Sequence, residues 1–190
     1  MLAGLNTVVL PFETTAEELG AQKVLKYDGT QARDGKLYLT FSSVSEMAAN
    51  TPYVVFVDED KAIAPFEDKT VESPTDLTVS DPEYCFVGTY TCFAKGASPI
   101  VSGDLIGGTE DFVLANGGNA LKAYRAYMKK VGTSKAAIGF LFDNDVVDGI
   151  ETLEQLEQTG MQPVFNLNGQ RVSRPQKGVF ISGGKKVIVK

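Results

Sequence analysis

The best candidate for a metal-binding segment in the sequence is 143–149, Asp-Asn-Asp-Val-Val-Asp-Gly. Asp143, Asp145 and Asp148 are closely spaced in a turn-like stretch, and carboxylate oxygens are the ligands that Ca²⁺ prefers. The third Asp falls one residue late for an EF-hand loop. The segment is therefore interpreted either as a calcium site or as a solvated acidic loop that follows a strand.

A second group, Tyr124, Arg125 and Tyr127, has the chemistry of a ligand contact. Tyrosine offers an apolar ring face and a hydroxyl, which suits a sugar, although tyrosines also pack across strands. Arg125 falls on the same face as Tyr127 if 121–128 is one strand. On a core face the guanidinium would need a carboxylate partner, whereas at a sheet edge it would reach water or bind an anion.

Catalytic chemistry finds little support in the composition. The chain has 190 residues and no His, which excludes His-dependent triads and His-ligated metals. A cysteine nucleophile would lack its usual base. The 24 acidic residues are scattered, and their spacing singles out no catalytic pair. We therefore expect a non-enzymatic protein without a cofactor, apart from the calcium ion considered above.

The elements that must position these residues are predicted to be strands. In the segment 36–42, Leu37, Leu39 and Phe41 alternate with polar residues, which is typical of a strand with one buried face. Similar segments are separated by turn residues such as Asp34-Gly35 and Asp81-Pro82. The sequence predicts an all-β body over 1–149, an antiparallel β-sandwich or jelly-roll-like fold. The other strand-like segments are 7–12, 24–27, 53–57, 84–93, 111–115, 121–128 and 137–142.

Two local patterns make sharper predictions. Thr15 and Glu18 match a capping box, and Gly20 predicts that the helix they begin is short. Cys85 and Cys92 lie opposite each other if Gly88-Thr89 is a turn, but on opposite faces if 84–93 is one strand. We favour the single strand, with two free and mostly buried thiols.

The C-terminal part differs in kind from the body. Residues 150–162 are predicted to be a linker or a short helix, and 163–190 a β-hairpin tail forming a small meander. Asn168-Gly169 would place Phe165 opposite Val172, and a turn at Gly183-Gly184 would place Phe180 opposite Val187. From residue 159 onward the chain holds six Lys or Arg and no acid. Such a small sheet needs a packing partner.

Charge and hydropathy limit the partners. The net charge of −6 argues against nucleic acid as the main partner. Apolar runs fall far short of the roughly 18–20 residues that span a bilayer, so no membrane span is predicted.

Several segments resemble β-sandwich modules of large surface proteins from Bacteroides- and Prevotella-like bacteria. They are 5–12 (LNTVVLPF), 49–55 (ANTPYVV), 86–90 (FVGTY) and 123–127 (AYRAY). The tail segments 163–172, 177–181 and 184–187 are similar to the C-terminal ends of those proteins, including short type IX secretion sorting tails. Where the family has Gly, this chain has Asn50, which also tolerates a left-handed turn.

The resemblance implies a secreted or outer-surface location. It also implies a non-catalytic, structural or adhesive module at the C-terminal end of a longer precursor, with a tail that sorts or anchors it. The expected partners are other domains of that precursor or a surface or matrix component. The alternative is a carbohydrate-binding module that uses an exposed tyrosine face.

Overall fold

The computed structural model describes residues 1–74, 76–109 and 111–143, and the backbone of the strands at 145–147, 164–165, 178–182 and 185–189. The chain is nearly all β, and antiparallel sheets pack against each other, which confirms the predicted fold class. It divides into two compact units, Met1–Ile150 and Glu151–Lys190. The linker or helix predicted for 150–162 lies outside the described residues.

The first unit contains thirteen described strands and one described helix. The strands are β1 (Gly4–Val9), β2 (Thr14–Thr15), β3 (Lys23–Arg33), β4 (Lys36–Ser43), β5 (Glu46–Met47), β6 (Pro52–Val57), β7 (Thr78–Val79), β8 (Tyr84–Thr89), β9 (Ser102–Gly107), β10 (Phe112–Asn116), β11 (Arg125–Lys130), β12 (Ala137–Phe142) and β13 (Asp145–Val147). The helix is α1 (Ala16–Leu19).

These strands form two main sheets. The first has the order β1-β6-β3-β4-β12-β13 and the second the order β10-β9-β11-β8-β7, while β2 and β5 pair separately. Neighbouring strands run antiparallel except for β4 and β12, which are parallel and place Leu39 beside Phe140. The register of β3 and β4 shifts between Tyr27 and Gly29, where a bulge interrupts the ladder.

The main core lies between the two sheets. The predicted alternation in β4 is confirmed, because Leu37, Leu39 and Phe41 are all buried. Aromatic rings from both sheets meet there, and the ring of Phe41 stacks on that of Phe112 with centroids 5.9 Å apart. This apolar burial is the main driving force for folding. The cluster consists of Leu5, Leu25, Tyr27, Leu37, Leu39, Phe41, Val54, Tyr84, Phe86, Leu105, Phe112, Ala126, Met128, Phe140 and Phe142.

Helix α1 lies in a second cluster, in which Leu19 packs with residues of β1, β3 and β6. The predicted capping box is confirmed: the Glu18 amide donates to Thr15 Oγ1 at 3.2 Å, and the Thr15 amide donates to Glu18 Oε2 at 3.0 Å. Gly20 ends the helix with φ 61°, a left-handed conformation that glycine adopts without strain. Residues 52–55 of β6 are consequently all buried rather than alternating.

Two strand predictions are wrong in their extent. Strand β8 ends at Thr89, so Cys85 and Cys92 do not share a strand; both thiols are free as predicted, but Cys92 is exposed. Strand β11 begins at Arg125 rather than at residue 121. The break has a local cause, since Tyr124 has φ 61° and a left-handed residue interrupts the extended backbone of a strand.

The second unit is described only through the backbone of three strands, β14 (Val164–Phe165), β15 (Gly178–Ser182) and β16 (Lys185–Val189). They form a sheet in the order β14-β15-β16. The second predicted hairpin is confirmed, because Phe180 pairs with Val187. Phe165 pairs with Ile181, and the turn predicted at 168–169 lies outside the described residues.

Candidate functional site

Two tyrosines form an aromatic pair at the surface of the first unit, just before β11. The rings of Tyr90 and Tyr124 have centroids 5.4 Å apart and planes tilted by 49°. Tyr124 is 50% exposed, while Tyr90 is half-buried. We call Tyr90 and Tyr124 the tyrosine pair; it presents an aromatic surface to solvent.

The tyrosine pair is fixed by hydrogen bonds on both sides. The Tyr90 hydroxyl donates to Asn50 Oδ1 at 2.7 Å. The backbone N–H of Asn50 donates to the carbonyl of Leu10, also at 2.7 Å. The Tyr124 amide donates to the carbonyl of Thr89 at 2.8 Å. Burial raises the pKa of the Tyr90 hydroxyl, and Tyr124 raises it further. These hydrogen bonds therefore hold both tyrosines in place at the surface.

Asn50 adopts the left-handed conformation that its place in the 49–55 segment predicts, with φ 59°. Its side chain accepts from Tyr90, a role that sequence reasoning did not find. The contact joins residues forty positions apart, so no local pattern could have revealed it.

Tyr127 does not join the tyrosine pair, although it was predicted as a ligand contact beside Tyr124. It is 3% exposed and packs with Ile100, Ala115 and Leu121. The single strand expected over 121–128 does not form, because Tyr124 is left-handed and β11 begins only at Arg125. The structure therefore assigns Tyr127 to the core.

Arg125 is the first residue of β11 in the second sheet and is half-buried, and its side chain contacts β1 of the first sheet. Its Nη1 donates to the carbonyl oxygen of Thr7 at 2.9 Å and to Asn6 Oδ1 at 3.3 Å. Burial lowers the pKa of the guanidinium. Within the described residues it forms no ion pair with a carboxylate, so the buried pair considered from the sequence is not its arrangement.

Arg125 lines a cavity of about 310 Å³ beside β1, the end of β9 and the segment before β11. We call it the Arg125 cavity. One wall is held in place by Thr7, whose hydroxyl donates to the Ala126 carbonyl at 2.8 Å and accepts from the Ala126 amide at 2.9 Å. The lining residues are Leu2, Ala3, Leu5, Asn6, Thr7, Ile106, Gly107, Gly108, Thr109, Ala120, Leu121, Lys122, Arg125 and Ala126.

A larger cavity of about 650 Å³ lies beside α1, and we call it the helix cavity. Its lining includes Glu13, Glu18 and Glu46, together with Lys26 and Lys69. Lys69 Nζ lies 2.6 Å from Glu18 Oε1. This hydrogen bond, followed by that from Thr14, lowers the pKa of the Glu18 carboxyl. Glu18 is thus a paired carboxylate, poorly suited to donate a proton at neutral pH.

The acidic segment uses Asp143 to tie two parts of the first sheet together. Its Oδ1 accepts from the Ser43 amide at 2.5 Å, while Oδ2 accepts from the Ser43 hydroxyl at 2.6 Å and lies 2.6 Å from Lys23 Nζ. Lys23 and then Ser43 lower the pKa of Asp143 to about 2. The side chain of Asp145 and the whole of Asp148 lie outside the described residues, so the calcium site stays a prediction.

No helix in the part of the chain that the structure describes is both long and apolar enough to cross a membrane. Comparisons with protein-family models, curated proteins and solved structures find no match to this chain. We therefore infer the function from the site geometry and from the sequence resemblance described above.

Proposed function

We propose that this chain is a non-catalytic, adhesive module that contacts a glycan through the tyrosine pair. The observation that carries the proposal is Tyr124, which is half-exposed, left-handed and packed on Tyr90. The flat apolar face of a sugar ring packs against an aromatic ring, and neighbouring polar groups bind its hydroxyls. The Tyr124 hydroxyl and the amide side chain of Asn50 supply such groups.

The backbone of Tyr124 supports a functional reading of the pair. A bulky residue at positive φ costs about 1–3 kcal/mol, and such residues cluster at binding sites. Glycine or asparagine would fit the position with less strain. The backbone strain at this exposed tyrosine therefore favours a binding role for its ring.

The larger cavity supports the non-catalytic part of the proposal. Hydrolysis of a glycan by two carboxylates needs one of them to be a proton donor, usually through a raised pKa. In the helix cavity, Lys69 has the opposite effect on Glu18. The sequence, which has no His, offers no imidazole to take that role.

The proposed location is secreted or outer-surface, within a longer precursor, and it depends on the sequence resemblance alone. The same resemblance supports a sorting or anchoring role for the tail. We expect protease added to intact source cells to remove the native protein. Protection of the protein until the cells are lysed would contradict this location.

Glycan arrays followed by calorimetry on the best-bound glycan test the ligand directly. We expect wild type to bind, and Tyr124→Gly, which removes the ring and relieves the backbone, to weaken binding by about 10-fold or more. Tyr90→Ala should weaken it similarly. Tyr38→Ala is the matched control, because Tyr38 is a half-buried tyrosine elsewhere, whose ring packs near Gly139.

Thermal melting of each variant separates loss of binding from loss of fold. The proposal fails if wild type binds no glycan on the array. It also fails if folded Tyr124→Gly binds as tightly as wild type, or if Tyr38→Ala weakens binding as much as Tyr124→Gly does.

A further inference from the structure

The Arg125 cavity has a charge arrangement that points to an anionic ligand. The Nη1 donors of Arg125 are used by two neutral oxygens, those of Thr7 and Asn6. A guanidinium has five N–H donors, so its Nε and Nη2 groups remain for other acceptors. Within the described chain they have no hydrogen-bond partner.

The described residues around Arg125 supply no negative charge to compensate its guanidinium. Lys122 adds a second cation to the lining, and none of the described lining residues is Asp or Glu. This is notable in a chain with 24 acidic and 18 basic residues. Because a half-buried charge is costly without a partner, a bound anion would be stabilised here.

The apolar lining residues of the Arg125 cavity favour an organic anion over an inorganic one. Leu2, Leu5, Ile106 and Leu121 line the same cavity, so one part is apolar and another cationic. Arg binds carboxylates through two parallel N–H···O bonds, and an apolar body would replace water along the leucines. Inorganic phosphate would match the cations but leave the apolar walls without contact.

We propose that the Arg125 cavity binds a small organic carboxylate with an apolar body. The carboxylate contacts the Nε and Nη2 side of Arg125 with support from Lys122, and the apolar part lies against Leu5, Ile106 and Leu121. This site is separate from the tyrosine pair, neither ring of which lines the cavity. The inference therefore goes beyond the proposed glycan contact and does not depend on it.

Benzoate and its neutral isostere benzamide test the proposal on the full chain, by titration followed with amide chemical shifts. We expect benzoate to shift the amides of Arg125, Ala126 and Lys122 and to bind at least about 10-fold more tightly than benzamide. Phosphate should bind more weakly than benzoate. Equal affinity for benzamide, or a preference for phosphate, would overturn the assignment.

Single substitutions then show which cation binds the carboxylate of benzoate. Arg125→Gln should weaken benzoate binding by about 10- to 100-fold, and Lys122→Gln on the exposed rim by a few-fold. Lys69→Gln removes a cation from the helix cavity and should leave the affinity unchanged. If Arg125→Gln does not fold, Lys122→Gln and the benzamide comparison decide. Unchanged affinity in folded Arg125→Gln, or an equal loss in Lys69→Gln, would contradict the proposal.

Discussion

Tyr124 and Tyr127 lie three residues apart, yet Tyr124 is half-exposed beside Tyr90 whereas Tyr127 is buried in a cluster with Ile100, Ala115 and Leu121. The inner tyrosines, which also include Tyr27 and Tyr84, are nearly inaccessible. Tyr27 donates its hydroxyl to the Tyr84 carbonyl at 2.9 Å. The tyrosine pair is held by the hydrogen bond from Tyr90 to Asn50, but the ring of Tyr124 remains exposed to solvent. Residue type alone therefore does not identify a ligand contact, because the backbone conformation decides whether a tyrosine ring is exposed.

Tyr127→Ala should have the largest effect on stability. Removing a buried aromatic ring loses apolar burial and leaves a cavity, so we expect a loss of about 3–5 kcal/mol in the free energy of unfolding. Chemical denaturation measures this value. Tyr124→Ala is measured under the same conditions. If both variants lose the same free energy of unfolding, the distinction between inner and outer tyrosines is wrong.

Tyr27→Phe should have a smaller effect, because the ring keeps its contacts with Phe41 and Phe86. The variant leaves the Tyr84 carbonyl without the hydroxyl that donates to it, at a cost of about 1–3 kcal/mol. Tyr90→Phe, which removes the exposed-side hydrogen bond to Asn50, is the control and should cost less. The reverse order in denaturation would show that the inner hydroxyl is not important for stability.

Alkaline pH should separate the inner tyrosines without any substitution. Burial and then Asp104 raise the pKa of Tyr84 to about 12, and burial also raises that of Tyr27. Since the folded pKa lies above the unfolded value of about 10, this contribution to stability is complete below pH 10 and is lost as the pH rises towards 12. Chemical denaturation at several pH values measures how the free energy of unfolding falls with pH. Tyr27→Phe should make this fall less steep, because the variant lacks one of the two titrating hydroxyls. A slope unchanged by that variant would contradict the assignment.

Tyr124→Gly should have the smallest effect on stability. Relief of the positive φ offsets the loss of the ring contact and the greater freedom of glycine in the unfolded chain, so we expect a change within about 1 kcal/mol. A loss of several kcal/mol would make Tyr124 a structural residue and would weaken the case for a glycan contact.

Much of the framework was predictable, because its signals are local. Alternation in β4, the capping box at Thr15 and Glu18, the left-handed turn at Asn50 and the pairing of Phe180 with Val187 each depend on residues near one another. In each case the side chains and their spacing determine the backbone conformation.

The site was less predictable, because its contacts join distant parts of the chain. Arg125 meets Asn6 and Thr7 across more than a hundred residues, and Asp143 meets Ser43 across a hundred. The left-handed backbone of Tyr124 gives no signal either, since tyrosine is common in strands. Strand periodicity therefore gave no means of telling the exposed Tyr124 from the buried Tyr127.

The most direct test of the glycan contact is an NMR titration of the wild-type chain with its best array glycan, read at the assigned tyrosine ring protons. We expect shifts of the ring protons of Tyr124 and Tyr90 and none of those of Tyr27, Tyr84 or Tyr127. Shifts confined to other residues, with the Tyr124 and Tyr90 rings unmoved at saturation, would contradict it.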